Sequence, residues 1–412
     1  MTDDQKSNPD EHLDGVGGTQ PDATSADSGQ QDQTASPAAE PPRRRPWWVL
    51  IAVVGALVIG LAAWLFTGGR APWTAQPSPA WTPTQSSPTV EPSAPRSNKP
   101  HGLERARELL GQPRSGGTWL SGIWAGGDTA TGGRVERFGQ WRGSAVDAIT
   151  MYPATNTWET IAGSNWHIET FADSPAILSY GLPLLPVTSG DTLADIAAGK
   201  QDQVFRQIAA LLVANGRGNT IIRIGWEANG AWFPWNTTVD TAEDYKAAFR
   251  RVVGVMKEQG PDLVFDFDIG CGVKLRGQQD RLDALNRLYP GDDVVDLIGC
   301  DTYDWHQTVT VDEATWALTQ RPKDAPGIAD VADFARARGK GLTFPEWGLA
   351  SPAEGGQGDN PYFITKMRGF FEANADILVM ESYFSEPTTT LANSIWEPDQ
   401  NPQSSQVYAR LW

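Results

Sequence analysis

The chain has 412 residues and a formal net charge of −17, a balance that repels nucleic acid and anionic surfaces and points to a neutral partner. Two cysteines, Cys271 and Cys300, exclude a disulfide scaffold and a zinc site built on cysteine. The length would hold roughly two to three average domains, but the composition divides it unevenly.

Residues 1–45 carry Asp, Gln, Ser, Pro and Gly with almost no large apolar side chains. Such a segment cannot bury enough surface to offset the entropy of ordering, so it is expected to be a disordered acidic tail. The triplet Arg43-Arg44-Arg45 then precedes an uncharged apolar run within residues 46–67. At about 1.5 Å per residue, roughly 20 such residues match a hydrocarbon core of about 30 Å, which predicts one transmembrane helix. The arginines lie before it and only Arg70 lies close behind, so the N terminus is expected in the cytoplasm and the remainder outside it, across the plasma membrane. A cleaved signal peptide is the rival reading, but the apolar region is long for one and no small-x-small site follows. Residues 68–102, rich in Pro, Ser and Thr, suit an extended stalk.

Residues 103–412 read differently. Apolar runs recur at Trp119–Trp124, Ala145–Tyr152, Ala176–Pro183, Thr220–Trp226, Leu263–Ile269, Val294–Tyr303, Gly341–Trp347 and Ile377–Phe384. Stretches with helical spacing, such as Asp202–Leu212 and Ala242–Val253, lie between them. Eight near-continuous apolar strands alternating with helices predict a (β/α)8 TIM barrel whose parallel sheet is buried on both faces. After the first strand, Ala125-Gly126-Gly127-Asp128 has neither a dinucleotide fingerprint nor a P-loop spacing, so a dinucleotide enzyme is excluded and no cofactor is expected. If Cys271 and Cys300 end adjacent strands, an exported location permits them to pair, and reduced buried thiols fit equally well.

Two of the strands end in a glutamate set among aromatics: Glu227, in Arg223-Ile-Gly-Trp-Glu227-Ala-Asn-Gly-Ala-Trp232-Phe-Pro-Trp235, and Glu346, in Phe344-Pro-Glu346-Trp-Gly348. Both fall at C-terminal strand ends, the face that carries TIM-barrel active sites. An unpaired buried carboxylate is costly, so each is either part of a structural ion pair or a functional acid. Two carboxylates delivered to one face are what a retaining glycosidase requires.

These segments resemble glycoside hydrolase family 26, clan A barrels that include β-mannanases. In the family's acid/base motif an arginine precedes the glutamate by four residues and a tryptophan follows it by five, as Arg223 and Trp232 do here. The Glu346 segment is similar to the nucleophile motif on strand seven, and Asp301-Thr-Tyr303-Asp304 to the strand-six segment whose tyrosine hydrogen-bonds the nucleophile. The resemblance covers most of residues 115–390. The chain departs from the pattern at Trp226, where the family places a histidine of the sugar-binding wall. It departs again in Met380–Phe384, which lacks the usual tryptophan and leaves Tyr383 as a substitute platform.

The resemblance implies double displacement without a cofactor, with Glu346 as nucleophile and Glu227 as acid/base. Tyr303 would orient Glu346, and Arg223 would support it by charge or serve as a core ion pair. Asn229 fits either a substrate hydroxyl or an Asn-Gly turn. Trp226, Trp232, Trp235, Trp305, Trp347 and Tyr383 fit either sugar platforms or core, and His167 and His306 either a sugar contact or a satisfied loop. Asp266 and Asp268 alternate on strand five and so face one side, as floor of the site or, with Asp301, around a cation. The expectation is a membrane-anchored extracytoplasmic β-glycanase acting on a polysaccharide, β-mannan first. A β-glucan, a xylan, the host's own exopolysaccharide, or non-catalytic glycan binding on the same barrel are the alternatives.

Overall fold

The computed structural model describes residues 97–124, 133–305 and 309–412. The expected tail, the expected membrane span, most of the expected stalk, and His306 lie outside the described residues. Among the described residues no helix is long and apolar enough to cross a membrane.

The eight expected runs form eight parallel strands: β1 Leu120–Trp124, β2 Ala148–Met151, β3 Ile177–Leu182, β4 Ile221–Ile224, β5 Val264–Gly270, β6 Leu297–Tyr303, β7 Gly341–Gly348 and β8 Leu378–Phe384. They close in sequence order, β1 pairing with both β2 and β8, so no sheet edge is left open. Helices wrap the outside. Helix Asp202–Ala214 buries Phe205, Ile208, Ala209 and Leu212, and helix Ala242–Gln259 buries Tyr245, Phe249, Val252 and Met256, the apolar stripe that helical spacing predicts.

The outward sides of the strands pack on these helices, whereas much of the inward side is polar. Thr150 of β2 donates to Ser382 of β8 at 2.8 Å and to the Pro345 carbonyl at 3.1 Å. Thr343 of β7 donates to Asp266 of β5 at 2.7 Å across β6. That crossing needs Gly299 on β6, because a Cβ there would stand 2.5 Å from Asp268 Oδ2 and 2.8 Å from Thr343 Oγ1. TIM-barrel interiors are usually layers of branched apolar side chains, and the buried polar axis beneath these C-terminal strand ends departs from that pattern.

An irregularity in β7 sets the site. Its register slips against β6 between Gly299 and Thr302, and against β8 between Phe344 and Trp347. Phe344 packs outward on Phe370 and Phe371, and so does Trp347 on Phe371. Strict alternation would put residues three apart on opposite faces. The additional residue falls at Pro345, which has no N–H to give to a ladder, and the resulting bulge turns Glu346 inward above Thr343.

The opposite, N-terminal end is plugged by helix Leu103–Leu110, whose Ala106 and Leu110 pack against the strand starts Leu120, Ala148, Ile177, Ile221, Val264 and Leu297. Asp296, just before β6, fastens this plug. It accepts from His101 Nδ1 at 2.9 Å, Gly102 N at 3.1 Å, Arg105 Nη1 at 2.7 Å and Phe265 N at 3.0 Å. Burial alone would raise its carboxyl, but His101 and Arg105 hold it below the ordinary aspartate value.

Candidate active site

The site begins where β4 ends. Gly225 takes a left-handed φ of 53°, and a Cβ on it would meet Leu184 at 2.5 Å, so glycine alone fits this turn. Glu227 follows with a φ of 51°, a conformation uncommon for a residue with a side chain and one that accumulates at functional positions. Its backbone is tied on both sides: its N–H donates to the Asp268 carbonyl at 3.2 Å and its carbonyl accepts from Gly230 N at 2.8 Å. A Cβ at Gly230 would lie 2.4 Å from the Trp232 ring. Glycine there lets the indole fold back so that Trp232 Nε1 donates to Glu227 Oε2 at 2.6 Å.

Glu346 is held by three donors. Tyr152, immediately after β2, donates its hydroxyl to Oε1. Arg223 Nη1 donates to the same oxygen at 3.2 Å, and Tyr303 donates to Oε2 at 2.9 Å. Arg223 Nη1 also donates to the Tyr152 oxygen at 2.6 Å. The other arm of Arg223 reaches Asp301 and, at 3.4 Å, Asp268. This fully buried guanidinium therefore joins β2, β4, β5, β6 and β7 beneath the catalytic face. Burial would favour its neutral form, but the carboxylates of Asp301, Asp268 and Glu346 hold its pKa well above the ordinary value.

One cation serves five buried carboxyls here: Glu227, Asp266, Asp268, Asp301 and Glu346. They cannot all be ionised at once, because like charges in a dry interior repel and each has lost its water. Desolvation raises Asp266 to about 8, with the Asp268 charge adding to it, and raises Asp268 to about 6. Asp301 and Glu227 are pushed well above their ordinary values, for Glu227 by burial first and then by the charges of Glu346 and Asp268. The site therefore holds Glu227 as an acid. Glu346 instead accepts from three donors, Tyr152, Arg223 and Tyr303. Both glutamates keep 8% exposure. Among the described residues no grouping of His, Cys, Asp or Glu suits a metal ion.

Of the residues selected from sequence, Arg223, Glu227, Trp232, Tyr303 and Glu346 converge. Trp226 joins them as a wall. Its ring lies between Tyr152 at 5.1 Å, Phe233 at 4.8 Å and Trp235 at 4.7 Å, 5.9 Å from the Arg223 guanidinium. Trp305 follows β6, half-buried, with its backbone N–H on the Tyr303 carbonyl at 2.8 Å.

Four others sit elsewhere. Asn229 spends its amide on backbone, donating to Gly270 O at 2.8 Å and Val273 O at 3.0 Å and accepting from Gly270 N at 2.9 Å, so it staples the β4 loop to β5. Trp235 is wholly buried, stacked on Phe233 at 4.5 Å and donating to the Trp226 carbonyl at 2.8 Å. Trp347 faces the helices and donates to Glu381 at 2.6 Å, and Tyr383 donates to the Asn393 carbonyl at 2.7 Å. The aromatic surface at that end is Trp124 stacked on Phe384, centroids 5.6 Å apart. His167 is buried against Tyr180 at 5.3 Å, and burial lowers its pKa to about 4. Cys271 and Cys300 form a disulfide with Cα atoms 5.6 Å apart, linking the residue just after β5 to the middle of β6 beside Asp301, so only Cys271 ends a strand.

Tyr152 is the site residue that sequence reasoning missed. It closes an ordinary apolar run, and only the barrel's closure brings β2 opposite β7. The signal available was its position at a C-terminal strand end.

The sequence model described as Glycosyl hydrolase family 26 matches residues 198–341, a stretch that contains Glu227, Asp301 and Tyr303. Endoglucanase H of Acetivibrio thermocellus is 28% identical over 195 residues, 45% of this chain and 20% of that protein. A mannan endo-1,4-beta-mannosidase of Bifidobacterium adolescentis is 33% identical over 138 residues, 32% of this chain and 13% of that protein. The chain thus spans a fifth or less of the length of these curated relatives. In fold it is similar to the catalytic domain of a Bacillus sp. JAMB-750 GH26 endo-beta-1,4-mannanase, with TM-score 0.55, 20% identity and coverage of 75% of this chain and 89% of that one. It is also similar to a Cellulomonas fimi endo-beta-1,4-mannanase double mutant, with TM-score 0.54, 20% identity and 76% of each chain covered. The match to the glycosyl hydrolase family 26 model thus falls on the stretch of this barrel that carries the Glu227 motif.

Proposed function

We propose that the barrel is a retaining glycosidase that cleaves a β-linked polysaccharide, with Glu346 as nucleophile and Glu227 as acid/base. The observation that carries this reading is the opposed setting of the two carboxyls: Glu227 in a dry pocket that favours its proton, Glu346 surrounded by donors from Arg223, Tyr152 and Tyr303. In the first step Glu346 bonds to the anomeric carbon as the glycosidic bond breaks, and the Glu227 proton passes to the leaving oxygen. In the second, water attacks that carbon, gives its proton to Glu227, and the bond to Glu346 breaks.

β-Mannan is the first choice of substrate, following the name of the mannosidase relative. A β-glucan is favoured by one observation, the flat Trp226 ring where the family has a histidine, and an endoglucanase is among the relatives. A non-catalytic glycan-binding role would not require both carboxyls in these settings. We place the barrel outside the plasma membrane on an anchor at residues 46–67, with residues 1–45 in the cytoplasm. The Cys271–Cys300 disulfide supports an oxidising location.

The test is product release by the soluble ectodomain, residues 97–412, from β-mannans, β-glucans, xylans and the producer's own envelope polysaccharide. Products from one polymer establish the activity and its substrate. Folded protein that binds glycan and cleaves none of them sinks the reading.

A pH prediction follows from Trp232. Its indole donates to Glu227 and holds the carboxyl lower than burial alone would place it. Trp232→Phe keeps a ring and removes the donor, so the Glu227 pKa rises. Glu227 must be protonated to act, so the basic limb of kcat/KM should move to higher pH, by about one unit if a charged hydrogen bond of ~1.5 kcal/mol is lost. An unmoved or lowered basic limb would count against Glu227 as the acid.

A further inference from the structure

The hydrogen bonds on Glu346 are unequal, and the inequality distinguishes its two oxygens. Arg223 Nη1 donates to the Tyr152 oxygen at 2.6 Å, so the Tyr152 hydroxyl proton is directed away from the guanidinium and onto Glu346 Oε1. Oε1 also accepts from Arg223 at 3.2 Å, while among the described residues Oε2 accepts from Tyr303 alone, at 2.9 Å. A carboxylate oxygen offers two lone-pair sites. Both sites of Oε1 are engaged, and Oε2 keeps one clear.

We propose that Oε2 is the atom that bonds to the sugar, and that Tyr152 is a positioning residue that, with Arg223, holds Oε1 as the acyl oxygen of the glycosyl ester and speeds its breakdown. This inference rests on the double-displacement reading above. When Oε2 attacks, the C1–Oε2 bond forms, the glycosidic bond breaks and the Glu227 proton leaves with the departing alcohol. Oε1 becomes the ester carbonyl. When water attacks C1, its proton goes to Glu227, the C1–Oε2 bond breaks and its electron pair returns to the carboxyl group. The charge that reappears is shared with Oε1, where two donors already wait. Preorganised donors aimed at developing charge act as an oxyanion hole does. Their larger effect is therefore on departure of Glu346 from the sugar.

Tyr152→Phe tests this, because it keeps the ring packed between Trp124 and Trp226 and removes only the hydroxyl. The probes are 2,4-dinitrophenyl β-mannobioside and β-cellobioside, with their 2-deoxy-2-fluoro analogues to trap the ester. The expected result is a fall in kcat of about 10²-fold with a parallel fall in KM, a pre-steady-state burst of dinitrophenolate, and a glycosyl-enzyme mass that persists longer than in the wild type. In Tyr303→Phe no such accumulation is expected. A crystal structure of the trapped wild type should show the sugar on Oε2 and the carbonyl oxygen within reach of Tyr152 and Arg223, which decides the matter even if Tyr152→Phe folds poorly. The sugar on Oε1, a kcat within about twofold of wild type, or accumulation in Tyr303→Phe alone would overturn the inference while leaving the glycosidase reading intact. Failure of the wild type to be labelled on Glu346 by either fluoro-sugar overturns both.

Discussion

Glu346→Ala is expected to abolish glycan hydrolysis, with a loss of about 10⁴-fold or more in kcat, the scale seen when a nucleophile is removed. Glu227→Ala should lose about 10² to 10⁴-fold, the contribution of a general acid. The two losses differ in kind. Without Glu227 the first step needs only a leaving group that departs unaided, so aryl glycosides with acidic phenols should form the glycosyl ester at near wild-type rates, while its hydrolysis, deprived of its base, becomes slow. Azide should then replace water at the second step and give a β-glycosyl azide. Without Glu346 neither remedy restores a retaining turnover. Comparing polymer hydrolysis, dinitrophenyl glycoside turnover and the azide product therefore assigns the carboxyls separately, and recovery of Glu346→Ala by a good leaving group would reverse the assignment.

Arg223→Met is expected to have the largest effect on stability. Arg223 is wholly buried and is the cation paired with Asp301, Asp268 and Glu346. Removing one partner of a buried ion pair typically costs about 3–5 kcal/mol, because the remaining charge is left without compensation. Here part of that cost is relieved by further protonation, since Asp301 already sits well above the ordinary aspartate range. The destabilisation should therefore be greater at pH 8 than at pH 5. Urea unfolding of the variant and the wild type at the two values measures this, and an equal difference at both would show that the carboxyls do not take up protons in response. Arg223→Lys keeps the charge but cannot hold Tyr152 and Asp301 with separate arms of a fork, so it should recover part of the stability and little of the activity.

The barrel was legible in the sequence because each strand is buried on both faces and therefore appears as an unbroken apolar run, eight times over. Glu227 and Glu346 stood out for the opposite reason, as charges within such runs. What the runs conceal is direction. Trp347 neighbours Glu346, and neighbours on a strand point to opposite faces, so an inward glutamate already implies an outward tryptophan. Tyr383 beside the inward Ser382 follows the same rule. Aromatic identity suggested platforms at both positions, and alternation corrects it. The bulge at Pro345 was less accessible: it depends on a slip of β7 against two neighbours, a relation between strands that no single segment encodes. Tyr152 belongs to the same class, since its partners come from β4 and β7. For Cys271 and Cys300 the sequence left pairing open, and it is the register of β5 on β6, Ile269 opposite Cys300, that brings them to bonding distance.

The plug at the floor of the barrel has a mechanical consequence. Residues 97–102 join the domain at the end opposite the glutamates, through His101, Gly102 and Arg105 on Asp296. A pull transmitted from upstream along the backbone is taken up by this clasp and by the Arg105 hydrogen bonds to Pro261 O and Leu263 O. The load spreads into the starts of β5 and β6 and, through Leu103 N on the Gly339 carbonyl at 3.0 Å and Lys340 Nζ on the His101 carbonyl at 2.9 Å, into the start of β7, all at the strand ends away from Glu227 and Glu346. A pull on the chain ahead of residue 97 would therefore enter the barrel at its floor, the end opposite Glu227 and Glu346.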